Sequence, residues 1–312
     1  MTSVGALSLF SLTPLQAIGV PLAVVGSAFL ALGTQLQNRG VRLVARDLHA
    51  GTADYATRPS LRSLIRQSSW LLGTLLLALA VLLQLGSLAV APLTVVQPIG
   101  AVALVFTAVL HARHSRTRMN GHTLRAVAIC VGGIGVFVGV ATTTTTSTIV
   151  TDRQLASVLV LLVLILIGLG VTAVAFRRRI AVSVPIVVAG VLFGFVATLA
   201  KILLDRAELV VAGGFDWSER GWLTGAALAG LILATGFGSY LVQVAHSTGP
   251  PDLVVAGLTV IDPLVGVTIG IMVLGEATSA PPWALIVFIV AGAVAALGVV
   301  DLARRHVPAS AA

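Results

Sequence analysis

Apolar residues in this chain run in long unbroken stretches and do not alternate with polar ones at the two-residue spacing of a half-buried strand. The stretches fall at 15–37, 69–91, 93–112, 122–141, 155–176, 185–204, 221–245, 252–275 and 283–302. Each is near the roughly 20 residues a helix needs, at about 1.5 Å per residue, to cross about 30 Å of hydrocarbon. The pattern predicts an all-α integral membrane protein with nine transmembrane helices.

Composition sharpens this picture. Of 312 residues 57% are hydrophobic and 10% charged, against about 25% charged in a soluble domain. A net charge of +8 would suit a nucleic-acid partner if the arginines formed a surface, but they sit in the short gaps between apolar stretches. Arg39, Arg42, Arg46, Arg58, Arg62 and Arg66 precede the second stretch; Arg113, Arg116, Arg118 and Arg125 surround the start of the fourth; 177–179 follow the fifth, and Arg304 and Arg305 the ninth. Threading nine spans puts these fifteen of the 19 basic residues on one side, which the positive-inside rule makes cytoplasmic. The expected location is the cell membrane, inner or plasma, with the amino terminus outside and the carboxyl terminus in the cytoplasm. Arg153, Lys201, Arg206 and Arg220 fall outside, largely neutralised by Asp205, Glu208, Asp216 and Glu219. The single cysteine, Cys130, lies within an apolar stretch and excludes a disulfide framework or a thiolate metal site. The first residues lack the basic start and cleavage site of a signal peptide, so the amino terminus is expected to be retained.

The chain also repeats itself. LTVVQPIGAV at 93–102 matches LTVIDPLVGV at 258–267, with the proline central in both, and Trp70, Gly73, Gly86 and Ser87 map at one offset onto Trp222, Gly225, Gly238 and Ser239. Spans one to four therefore pair with spans six to nine. The arginine sorting sends the third span inward and the eighth outward, which makes the halves inverted, as in many secondary transporters. The expected organisation is an amino-terminal half at 1–141, a linker with helix five at 142–180 and a carboxyl-terminal half at 181–312. The fifth span, apolar nearly all round, suits a lipid-facing or buried connector, and the threonine run 142–146 reads as a flexible linker.

Two inverted halves, a proline in the next-to-last helix of each (Pro98 and Pro263), and an LGE ending that helix in the second half (Leu274, Gly275, Glu276) resemble the drug/metabolite transporter superfamily. Nine spans, the GTQLQNRG stretch at 33–40 and APLTVVQPIGA at 91–101 resemble its NIPA-like magnesium-transporter branch and related EamA-like permeases. The resemblance implies a carrier fold over nearly the whole chain and leaves the solute open among drugs, metabolites and metal ions. The chain departs from a symmetric pattern where the first half has His111 in place of Glu276.

Asp262 is the acid placed near the middle of an apolar span, where a carboxylate costs about 2.5 to 3.5 kcal/mol on insertion scales. It reads as a binding or proton-coupling group facing a wet cavity, or as an acid fixed by a neighbouring polar side chain. Pro98 and Pro263 free the carbonyls of Thr94 and Thr259 one turn back, so Thr94 with Gln97 and Thr259 with Asp262 are candidate half-sites of a pathway; the plainer reading is two proline kinks. Gln35 and Gln37, Gln84, Tyr240 and Gln243 add hydrogen-bonding capacity as interhelical contacts or as a polar lumen. Lys201, with Asp205 four residues on, reads as a snorkelling cation in an ion pair. Gly135 with Gly139, Gly190 with Gly194, and Gly266 with Gly270 have the spacing of close helix packing.

His111, His114 and His122 lie among arginines, which disfavours a metal there. No nucleophile elbow, phosphate loop or zinc-protease motif is present, so the expectation is no enzyme, no cofactor and no nucleic acid. The segment 39–66 could lie along anionic lipid or simply set topology. The sequence thus reads first as a secondary transporter of a small drug or metabolite working by alternating access, with proton coupling open. Magnesium is the second reading, weakened because a doubly charged ion usually wants more than one carboxylate, although an outer-end acid such as Glu276 could recruit it. A non-transporting lipid-binding subunit is the third. The expected partners are the solute and the bilayer, with a homo-oligomer left open.

Overall fold

Backbone N–H and C=O groups in hydrocarbon find no water, so apolar stretches of this length must satisfy them internally, as helices. The computed structural model describes residues 14–51, 61–114, 121–147, 150–175, 183–213, 217–248 and 251–306. In chain order its helices are α1 (Pro14–Gly51), α2 (Leu61–Ile65), α3 (Ser68–Val90), α4 (Leu93–Gly100), α5 (Val102–His114), α6 (Gly121–Thr144), α7 (Asp152–Ala175), α8 (Ser183–Val211), α9 (Trp217–Thr248), α10 (Pro251–Met272) and α11 (Pro282–His306). Among the described residues nine stretches are long and apolar enough to cross a membrane, and the protein is an all-α, multi-pass membrane protein.

Three boundaries differ from expectation. The third span carries an irregular turn at Ala101, three residues after Pro98 and between α4 and α5, although Ala101 keeps right-handed helical angles and the span runs through from Leu93 to Leu110; Pro263, by contrast, lies within an uninterrupted α10. The Ile99 carbonyl beside that turn accepts a 3.1 Å hydrogen bond from Ser27 of α1. Helix α1 continues to Gly51, past the end of the span at Val44, so Arg39, Arg42 and Arg46 lie on the same helix as the first span. The threonine run expected as a flexible linker is mostly the end of α6. Thr144 and Thr145 turn their hydroxyls onto the carbonyls of Val140 and Ala141 at 2.8 and 2.6 Å, which fastens that end. Arg58, Arg116, Arg118 and the cluster at 177–179 lie outside the described residues.

Glycines set how the helices meet. Helices α1 and α3 form an antiparallel hairpin, with Gly19 against Ala91, Gly33 against Gly73 and Gly40 against Trp70. Helices α8 and α9 do the same more loosely, Gly238 facing Phe193 and Gly230 facing Leu199. Helix α10 runs parallel to α8, Ile186 meeting Gly257, Gly190 meeting Ile261 and Gly194 meeting Val265. Helix α4 crosses α10 antiparallel, and α6 crosses α11 antiparallel through Gly133 against Ala295 and Gly298 against Cys130. The third and eighth spans thus face each other in opposite directions, as do the fourth and ninth. The pairs Gly190–Gly194 and Gly266–Gly270 make the close contacts their spacing suggests, whereas Gly135 and Gly139 face open space. Helix α7 packs Leu155, Val158 and Leu162 inward and leaves Val160, Leu164, Ile167 and Val171 exposed, one face against α8 and α9 and the other outward.

The repeat-related glycines Gly73 and Gly225 are not equivalent in packing. A Cβ on Gly73 would stand 2.5 Å from the Gln37 nitrogen and 2.7 Å from the Gly33 carbonyl oxygen, whereas one on Gly225 meets nothing within 4 Å. Backbone cannot give way as a side chain does. Gly73→Ala is therefore expected to destabilise the protein by about 1–3 kcal/mol, and Gly225→Ala to leave it unchanged, both read as thermal midpoints in detergent.

Candidate functional site

The contact between α4 and α10 is built on absent side chains. Asp262, Gly266 and Gly270 recur every four residues on α10 and so share one stripe of the helix. A Cβ on Gly266 would come within 2.8 Å of Gln97 Cγ, and one on Gly270 within 2.8 Å of Thr94 Oγ1 and 2.7 Å of Glu276 Oε2. Helix α4 therefore lies in a glycine groove, Thr94 level with Gly270 and Gln97 level with Gly266. Asp262 lies one turn further along α10, where its backbone faces Gly190 and Gly194 of α8. Asp262 is half-buried at the middle of the span Leu253–Met272, and its Oδ1 is buried without a hydrogen-bond partner.

At the far end of the groove sits Glu276. Helix α10 ends at Met272, and Gly275, at φ +71°, takes the left-handed turn that folds the chain back. Glu276 is 2% exposed, and its carboxylate is filled by one partner element. The Leu93 N–H donates to Oε1 at 2.7 Å, and the Thr94 N–H and hydroxyl donate to Oε2 at 2.7 and 2.6 Å. These are bare donors at the start of α4, where Pro92 supplies no side-chain cap. The Glu276 carbonyl accepts the Thr146 N–H at 3.0 Å, and Gln154 of α7 donates to the Leu274 carbonyl at 2.9 Å. Burial pushes the Glu276 carboxyl above the usual carboxylate range, opposed by its bonds from Thr94 and Leu93 and by the charge of Lys201.

Lys201 is 2% exposed and does not snorkel. Its ammonium donates to Asp205 at 2.8 Å and to Ser147 at 3.1 Å, so the expected ion pair is present but enclosed by protein. Asp205 keeps its second oxygen buried without a partner. Arg206, beside it on α8, bonds Thr224 of α9 at 3.0 Å and pairs with Asp152 of α7, tying three helices together.

The structure brings Thr94 and Gln97 to the α10 groove and adds Glu276 to them, with Lys201 nearby; Asp262 lies further along the same helix. Gln97 is buried, and Thr94 spends its hydroxyl on Glu276. Thr259 is half-buried and turns its hydroxyl back to the Val255 carbonyl at 2.7 Å. Gln35 and Gln84 are half-buried on α1 and α3, and Gln37 bonds Thr74 at 3.2 Å across that hairpin. Tyr240, 64% exposed, and Gln243 lie on α9, which packs chiefly on α8 and apart from the groove. The sequence singled out Glu276 through its LGE motif but not its partner, for which the signal is a helix that begins Pro-Leu-Thr with no capping side chain of its own.

A family model described as magnesium transporter NIPA matches residues 15–205. The match takes in Thr94, Gln97, Pro98 and Lys201 and stops before Asp262 and Glu276. An uncharacterized protein of Corynebacterium glutamicum is 24% identical over 287 residues, covering 92% of this chain and 95% of its own. No solved structure matches.

Two outcomes test the bonds at Glu276. Thr94→Val removes one hydrogen bond to a carboxylate and is expected to cost about 1.5–3 kcal/mol of stability. Because the folded protein holds the Glu276 proton more tightly than the unfolded chain, stability is greatest in acid and falls as pH rises through the raised value, then levels. Thermal midpoints measured across pH should show this component in the parent and lose it in Glu276→Gln.

Proposed function

The chain belongs to the NIPA magnesium transporter family, and from that premise we propose that it carries a divalent cation, Mg2+ in the first place, through a site at Asp262. Members of this family are membrane transporters, and no enzymatic step is assigned to the chain. The observation that supports the site is the Asp262 Oδ1, buried at mid-span with no donor. A polar group kept dry and unpaired costs several kcal/mol, a cost that a passing cation offsets. Mg2+ holds oxygen ligands at about 2.0–2.1 Å and gives up water reluctantly, so one carboxylate with the Gln97 amide one turn away suits an ion that keeps part of its hydration shell. A metabolite or drug, the first reading of the sequence, gives way to the ion on the family match and on this oxygen.

Transport in this reading is alternating access between two inverted halves, 1–141 and 181–312, with α7 as connector. Two observations support inversion. The repeat-related third and eighth spans cross antiparallel, and so do the fourth and ninth, as a two-fold axis in the membrane plane requires. The arginine sorting supports a cell-membrane carrier with its amino terminus outside and its carboxyl terminus in the cytoplasm. Its partners are the ion and the bilayer, as a single copy or a homo-oligomer.

In proteoliposomes the parent should move Mg2+, and Asp262→Asn, folded normally, should lose flux by about tenfold or more, equivalent to about 1.4 kcal/mol. Gln97→Ala should weaken half-saturation more mildly. Parent protein that moves an organic solute from the same panel and no divalent ion would overturn the substrate; wild-type flux in Asp262→Asn would overturn the site. Reporters at Ser3 and after Ala312 should lie on opposite sides of the membrane, and finding them together would remove the nine-span topology.

A further inference from the structure

We propose that Glu276 is the gate residue at its end of the pathway: its carboxylate holds α4 in the glycine groove of α10, and release of that grip opens the way to Asp262. The inference rests on the reading of the chain as an alternating-access carrier and not on which solute it moves.

The argument begins with what fills the groove. Between Asp262 and the Glu276 end, the α10 stripe carries only Gly266 and Gly270, so the space beside it is occupied by α4, first by Gln97 and then by Thr94. These two side chains stand in series between Asp262 and the end of the bundle. The glycines let α4 approach α10 closely, and Leu93, Val95, Val96 and Ile99 of α4 are buried in the apolar core. Added to that packing is a polar hold at the first turn of α4. Three donors on two adjacent residues of α4 converge on one carboxylate at 2.6 to 2.7 Å, and hydrogen bonds to a charged acceptor are the strong ones.

Helix α4 has eight residues and is joined to α5 through Ala101, a turn residue whose backbone stays right-handed helical at φ −66° and ψ −19°. It lies in the first half of the chain, and Glu276 in the second, so the contact joins parts that alternating access must separate at one end at a time. A carboxylate is suited to this because its three bonds fail together when α4 withdraws, and water can then solvate both sides. The buried ammonium of Lys201, held by Asp205 and Ser147, steadies the carboxylate from α8 without bonding α4 itself. Glu276 thus acts by closing the route, and has no direct part in binding the solute at Asp262.

The test measures access and needs no solute. Gln97→Cys in a Cys130→Ala background places a thiol one turn below Thr94, 5% exposed in the closed arrangement. A membrane-impermeant thiol reagent applied to oriented vesicles from the Glu276 side should label it slowly. Glu276→Gln, which weakens the acceptor, and Gly270→Ala, whose Cβ would press on Glu276 Oε2 and Thr94 Oγ1 while removing no polar group, should each speed labelling by about tenfold or more, the scale of losing one or more charged hydrogen bonds. Val211→Cys, 89% exposed at the end of α8, reports reagent access and should not change. If either variant fails to fold, the other decides. A labelling rate at Gln97→Cys within about twofold of the parent in the folded variants, less than half a kcal/mol, overturns the gate. That result leaves the Asp262 site standing, just as absence of Mg2+ flux with accelerated labelling overturns the substrate and leaves the gate.

Discussion

A helix that begins inside a bundle presents bare N–H groups, and where water is excluded something in the protein must accept them. At the start of α4 that acceptor is Glu276, 182 residues away in sequence from Thr94, and the arrangement around it follows from this need. The carboxylate can reach because Gly275 turns the chain back after α10. Gly270 leaves room for it, and Lys201 supplies the nearby positive charge that a buried acid requires. The Thr146 N–H and Gln154 then fasten the same turn to the α6–α7 connection and to α7. Remove the acceptor and the first N–H groups of α4 are left bare, while Leu93, Val95, Val96 and Ile99 still pack it in the apolar core.

The same economy of backbone groups bears on the irregular turn in the third span. Pro98 cannot donate to the residue one turn back, and the regular helical bonding lapses at Ala101 while its backbone stays right-handed helical, with Ser27 of α1 bonding the Ile99 carbonyl beside it. Pro263, at the matching place in the repeat, lies in a helix that continues. One sequence feature therefore has two structural results, and the difference lies in the neighbours: α4 is pinned at its start by a carboxylate, whereas α10 is continuous with the groove that receives it.

Span number and order were legible because a length of unbroken hydrophobicity is a one-dimensional property. The repeat was legible too, and it pointed to the two spans whose contact carries the candidate site. What stayed hidden depends on which faces meet. Glu276 looked like an acid at a helix end, because nothing local says that its side chain turns inward; Lys201 looked able to reach water, because Asp205 was visible four residues on but the burial of both, and the bond to Ser147, come from other parts of the fold. Gly73 and Gly225 are identical letters at matching places, yet only one touches a neighbouring backbone. The family match, ending at residue 205, leaves Asp262 and Glu276 to be argued from physics alone.

Helix α7 bears on how the protein is made. Its buried face packs chiefly on α8 and α9, and Asp152 and Gln154 tie it to α8 and to the turn after α10, elements that leave the ribosome later than α7 does. A mean hydropathy of 2.7 suits a helix whose outer face, Val160, Leu164, Ile167 and Val171, is left uncovered by protein even in the finished fold.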